Sequence, residues 1–144
     1  SGWFTAEEAA VLNFGSLAKF FGTDLGRKIV ANVAAVQREL PFTAGLAPAD
    51  LVALKLEPMA GLPADEVVVV QGVVDLAVIL EREIWIVDFK TDAVTELEMA
   101  AKAQTYEPQL KLYALALARI YNRPVTQCAL YFLATGSLTL LSVA

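Results

Sequence analysis

The sequence predicts a mixed α/β domain, with a central mixed β-sheet flanked by helices. Three observations carry that reading. Two apolar runs at 67–80 and 84–87 sit within Glu66 to Asp92, EVVVVQGVVDLAVILEREIWIVDFKTD, and read as adjacent strands. Apolar residues on both sides of this stretch recur at helical spacing behind capping signals. Two further β-rich runs close the chain around Thr135-Gly136-Ser137.

Each element has its own signal. Thr5-Ala6-Glu7-Glu8 is a capping box that opens a helix, whose apolar face is Val11, Leu12, Phe14, Leu17, Ala18, Phe20 and Phe21. Gly22-Thr23-Asp24 interrupts it, and Asp24 can cap a second helix from Leu25 to about Ala34. VQRELPF at 36–42 reads as a strand with Pro41 near its end. Prolines and glycines punctuate a connection over 43–64 that holds a short helix at 49–54. The two central strands meet around Glu81-Arg82-Glu83. Thr95-Glu96-Leu97-Glu98 is a second capping box, opening a helix to about Gln104. Pro108 suits the first turn of a separate helix, which Asn122-Arg123-Pro124 stops. Strands at 125–134 and 138–143 follow.

Composition narrows the chemistry. At 144 residues the chain reads as one domain able to bury a real core. It is 57% hydrophobic and 19% charged. No apolar run approaches the ~18–20 residues of a membrane span, so the excess belongs to a core or to a face that meets another domain. No basic segment followed by an apolar stretch marks a signal peptide. A lone cysteine, Cys128, excludes an intramolecular disulfide and any four-cysteine site, and a cytoplasmic location is expected. The absence of histidine removes Ser-His, Cys-His and His-zinc chemistry. A net charge of −5 argues against a stand-alone nucleic-acid binder, so DNA affinity would be local, metal-mediated or supplied by a partner. There is no G-x-x-x-x-G-K-[ST] loop and hence no ATP site of that kind.

The charges inside the apolar stretch are the candidate chemistry. Between 67 and 80 only Gln71 and Asp75 are polar, and an isolated buried carboxylate needs a partner or a metal. Alternation along the next strand puts Asp88 and Lys90 on one face and Val87 and Phe89 on the other. In an antiparallel hairpin Asp75 can face with Asp88 only if the pairing sum is odd, which requires an even-length loop near 81–83 or a bulge. Two carboxylates so placed are hard oxygen ligands suited to Mg²⁺ or Mn²⁺, with Lys90 positioning water or offsetting developing charge. A structural Asp–Lys pair at the end of a buried hairpin is the alternative. Gln109 and Tyr113, at i and i+4, project from one helix face, as an ordinary surface pair would also do.

The order G-V-V-D-L (72–76), V-D-F-K-T-D (87–92) and Q-L-K-L-Y (109–113) resembles the RecB-like branch of the PD-(D/E)XK nucleases. F-F-G-T-D-L-G-R-K-I (20–29), Q-R-E-L-P-F (37–42) and Y-F-L-A-T-G (131–136) resemble the C-terminal nuclease domain of AddA-type helicase–nucleases. The resemblance implies a restriction-endonuclease-like core and a metal-dependent DNA exonuclease that processes double-strand ends in recombinational repair. It makes Asp75 and Asp88 metal ligands, with the carbonyl of Phe89 a third, Lys90 the catalytic lysine, and Gln109 and Tyr113 the supporting pair. Glu39 matches a family acid and is a candidate for the metal's outer coordination sphere, or else an exposed strand acid. The implied cofactor is Mg²⁺, with Mn²⁺ as substitute. The implied partners are DNA, helicase domains of the same polypeptide and a second nuclease subunit, without a membrane. Residues 1–144 would form a single domain from the C-terminal part of that polypeptide. Such nucleases place a histidine ligand on an upstream helix, and this sequence has none. A nuclease-like domain that guides DNA or contacts a subunit without cleaving is therefore the second expectation.

Overall fold

Residues 14–54, 65–92 and 94–142 are described in a computed structural model of the chain. The elements run α1 (Phe14–Phe21), α2 (Asp24–Ala31), a short 3₁₀ turn (Val33–Ala35), β1 (Val36–Leu46), α3 (Pro48–Ala53), β2 (Val68–Ile79), β3 (Ile84–Lys90), α4 (Glu96–Tyr121), β4 (Val125–Phe132) and β5 (Ser137–Leu140). The strands form one mixed sheet in the order β1-β2-β3-β4-β5. Hairpin pairings are antiparallel, and β3 and β4 are parallel because α4 carries the chain back across the sheet.

Two apolar layers enclose the sheet. On one side α4 supplies Leu110, Ala114 and Leu117 against Phe42, Val74, Ile84, Ile86 and Leu130. On the other, Phe20, Leu25 and Ile29 of the first two helices cover Leu76, Val78, Val87, Phe89 and Tyr131. The Phe20 ring meets Phe89 and Tyr131 edge-on, at centroid distances of 5.2 and 5.0 Å. Gly26 permits the α1–α2 corner, since a side chain there would run into the backbone of Phe20. β3 lies between both layers and is buried from Ile84 through Phe89. A charge on that strand is therefore expensive, which makes Asp88 conspicuous.

Several boundaries differ from the sequence expectations. Thr23, not Asp24, caps α2: its Oγ1 accepts the Gly26 N–H at 3.0 Å, while Asp24 is the first helical residue and pairs with Arg27 at 2.7 Å. β1 continues past Pro41 to Leu46, shortening the expected connection; it is an edge strand, where a missing N–H is tolerated. The two helices expected around Pro108 are one 26-residue helix. Proline removes a single bond to the Gln104 carbonyl, and Ala103 and Leu110, buried on either side of it, keep both halves on the same sheet face. The closing strands are shorter than expected because Leu133 to Gly136 form the turn, with Gly136 at φ +66°. The first capping box, at Thr5 to Glu8, lies outside the described residues.

Candidate active site

The β2–β3 ladder begins at Ile79↔Ile84, beyond a four-residue loop at 80–83, and ends at Leu76↔Val87. Its register has the odd sum that brings Asp75 opposite Asp88, but the backbone pairing stops one step short of them. The Phe89 N–H that a continuing ladder would give to a β2 carbonyl goes instead to Asp75 Oδ2 at 2.9 Å. A side chain thus replaces main chain where the strands part. In an extended strand the N–H and C=O of one residue point the same way, so the Phe89 carbonyl also faces the gap.

Asp88 is the only buried charged residue among those described. Its Oδ2 is fully enclosed and accepts no hydrogen bond of acceptable geometry. Its close cation is Lys90, with Nζ at 2.7 Å from Oδ2 and only 17% of the lysine side chain exposed. Burial pushes the Asp75 carboxyl up to about 7, with a hydrogen bond to Asp88 and that group's charge adding to the rise; the Phe89 N–H and Lys90 oppose it. One ammonium cannot neutralise two adjoining carboxylates in so dry a place. Hard oxygen donors, one of them unsatisfied, suit a divalent cation of the Mg²⁺ or Mn²⁺ kind.

Lys90 is held from the helix side. Its Nζ donates to Gln109 Oε1 at 3.4 Å and lies 4.0 Å from the centroid of the Tyr106 ring, a cation–π distance. Gln109 Nε2 donates to the Tyr113 hydroxyl at 3.0 Å, and Tyr113 packs edge-on against Phe42. Gly72 makes room for both rings, because a Cβ there would stand 2.8 Å from Phe42 and 3.1 Å from Tyr113. Tyr106 in turn donates to Asp92 at 2.9 Å, and Lys102 approaches the same carboxylate at 3.4 Å. Burial pushes the Asp92 carboxyl up, yet the bonds from Tyr106 and Lys102 outweigh it and hold the group below its ordinary value. Burial, then the Asp88 charge, raises the Tyr113 hydroxyl.

Five of the sequence candidates therefore form one continuous set of contacts: Asp75, Asp88, Lys90, Gln109 and Tyr113. Glu39 stands across from Asp75 on β1, in a backbone conformation with φ +50°. No group of three or more His, Cys, Asp or Glu side chains converges among the described residues. Tyr106 and Asp92 escaped the sequence reading. Splitting the helix at Pro108 hid Tyr106, which lies three and seven residues before Gln109 and Tyr113 on one stripe of α4.

A profile of the PD-(D/E)XK nuclease superfamily matches residues 5–140. The chain belongs to that superfamily. Its mixed sheet between helices is accordingly the restriction-endonuclease-like fold, and the D-x-K of the superfamily's name falls on Asp88-Phe89-Lys90. Relatives described as the AddA-type subunit of an ATP-dependent helicase/nuclease share about a third of their aligned residues with this nuclease-superfamily chain. The protein of Moorella thermoacetica is 35% identical over 136 residues, covering 92% of the chain and 9% of the relative. That of Geobacillus thermodenitrificans is 36% identical over 134 residues, covering 88% and 10%. That of Lacticaseibacillus casei is 37% identical over 126 residues, again 88% and 10%. The chain thus spans about a tenth of these relatives' length. Among the described residues no helix is long and apolar enough to cross a membrane.

Proposed function

We propose that this chain is the metal-dependent deoxyribonuclease domain of a helicase–nuclease, hydrolysing DNA phosphodiesters with Mg²⁺ as double-strand ends are processed for recombinational repair. One observation carries the reading: the enclosed, hydrogen-bond-free Oδ2 of Asp88 stands beside a second carboxylate and 2.7 Å from a lysine. Asp75 and Asp88, with the carbonyl of Phe89, are the residues that would hold the ion. A divalent ion bound there supplies charge stabilisation at the phosphoryl oxygen and acidifies water. Lys90 places its ammonium beside Asp88, where it orients the attacking water or offsets charge developing on the phosphate. Gln109 fixes the Lys90 ammonium, and Tyr113 fixes Gln109. The relatives' name supports the remaining assignments: DNA as substrate, helicase domains on the same polypeptide, a partner that is a second nuclease subunit, and a cytoplasmic location.

A second reading rests on donor number and charge. Two converging carboxylates, no histidine and a net charge of −5 favour a nuclease-like module that guides DNA or contacts a subunit without cutting. Cleavage of linear duplex DNA with and without Mg²⁺ separates the two. The nuclease reading expects metal-dependent cleavage that disappears in Asp88→Ala and Lys90→Ala while circular dichroism is unchanged. Full cleavage by Asp88→Ala rejects it. DNA retention without cleavage, indifferent to Asp88→Ala, supports the second reading.

A further inference from the structure

Side chains alternate along a strand, so even-numbered residues of β1 and β2 should keep to one face throughout. They change sides. In β2, Val70 and Val74 pack in the α4 layer, whereas Leu76 and Val78 pack in the α1–α2 layer. In β1, Leu40, Phe42 and Ala44 belong to the α4 layer and Val36 to the other. The register is the same before and after the switch, from Arg38↔Leu76 to Leu40↔Val74, so no inserted residue accounts for it. The pair skipped in that ladder is Glu39 with Asp75. Glu39 has φ +50°, a left-handed conformation that turns its two neighbours to opposite faces.

The consequence falls on the site. β2 leaves β3 at this same point, since their ladder ends at Leu76↔Val87. An unbent β2 would carry the backbone ladder on through Asp75 and fill the gap with main chain. With the bend, the Asp75 carboxylate takes the Phe89 N–H and lies against Asp88. A side chain bearing a Cβ opposes the left-handed conformation, so its persistence here needs support from the surrounding structure, as at strained functional positions. We infer that Glu39 is a positioning residue: its left-handed backbone, not its carboxylate, bends the β1–β2 ribbon and sets Asp75 against Asp88.

The metal-binding part of the test rests on the nuclease reading, whereas the amide readout does not. Hydrogen exchange of the Phe89 amide, measured metal-free, reports the Asp75 contact, and calorimetric Mn²⁺ titration reports the assembled carboxylates. Glu39→Gly and Glu39→Asn tolerate positive φ, and Glu39→Gln removes only the charge. All three should protect the Phe89 amide and bind Mn²⁺ within about twofold of the parent, whereas Glu39→Val should lose the protection and bind about tenfold more weakly or worse. Asn122→Val imposes similar strain at φ +55° at the far end of α4; it should lower Tm yet leave both readouts unchanged. Intact Phe89 protection in Glu39→Val overturns the inference, as does a loss in Glu39→Gln matching that in Glu39→Val. If Glu39→Val does not fold, Glu39→Ala replaces it, and protection equal to that of Glu39→Gly overturns the inference. A parent chain that binds no Mn²⁺ defeats the nuclease reading alone and leaves the Phe89 test standing.

Discussion

The two ends of the β2–β3 hairpin are built to opposite rules. At the turn end, main-chain and side-chain polar groups find partners. The Leu80 N–H donates to the Glu83 carbonyl at 2.9 Å, and Arg123 donates to the Leu80 carbonyl at 2.6 Å. Glu83 accepts bonds from Thr126 at 2.6 Å and the Trp85 indole at 2.7 Å, and these hold its carboxyl below the ordinary value. At the open end the ladder stops, a carboxylate replaces a carbonyl, and a buried oxygen is left without a hydrogen bond. Stability and chemistry are thus divided along a single hairpin. A tied turn and a strand packed on both faces give β3 enough support to carry a charge that its other end does not satisfy.

Truncating the packed end should give the largest change in stability. Ile86 is fully buried in the α4 layer, so Ile86→Ala should cost about 2–5 kcal/mol in urea unfolding. A cost below about 1 kcal/mol would show that the core is not what supports the open end. Asp75→Asn should act with the opposite sign. It keeps an acceptor for the Phe89 N–H while removing one of two adjoining charges, so the metal-free Tm should rise by a few degrees. A fall in Tm would mean that the carboxylate pair is a structural device. Glu83→Ala, at the turn end, should cost about 1 kcal/mol and leave Mn²⁺ binding alone. A loss of binding there would show that the two ends are coupled.

The smallest expected effect is one of pH. With its carboxyl raised from 3.8 to about 7, native Asp75 binds more protons than the unfolded chain does between those values. Metal-free stability should therefore be fully supported below about pH 4, decline as pH rises, and level off above about pH 7. Asp75→Asn should abolish that decline, as urea melts at several pH values would show. An unchanged slope would place the titration elsewhere.

The hairpin and its charges were legible because two strong constraints coincide. Long apolar runs declare buried strands, and strand parity restricts how Asp75 and Asp88 can meet. The pairing of Gln109 with Tyr113 followed from helical spacing alone. What stayed hidden depends on tertiary support. Neighbouring Thr23 and Asp24 are both competent caps, so local chemistry did not choose between them. Pro108 is a helix breaker by propensity, and only the packing of Ala103 and Leu110 against the sheet carries the helix through it. Glu39 has no sequence signal for positive φ, since the conformation is imposed by the strand pairing on either side.

If the open end of the hairpin is a cation site awaiting charge balance, the ion alone should find it. Isothermal calorimetry of the chain with Mn²⁺, run above pH 7 so that Asp75 is ionised, makes the decision. The expected result is saturable binding in the parent chain that is lost in both Asp75→Asn and Asp88→Ala. Saturable binding that survives Asp88→Ala, or no binding to the folded parent at all, would contradict it.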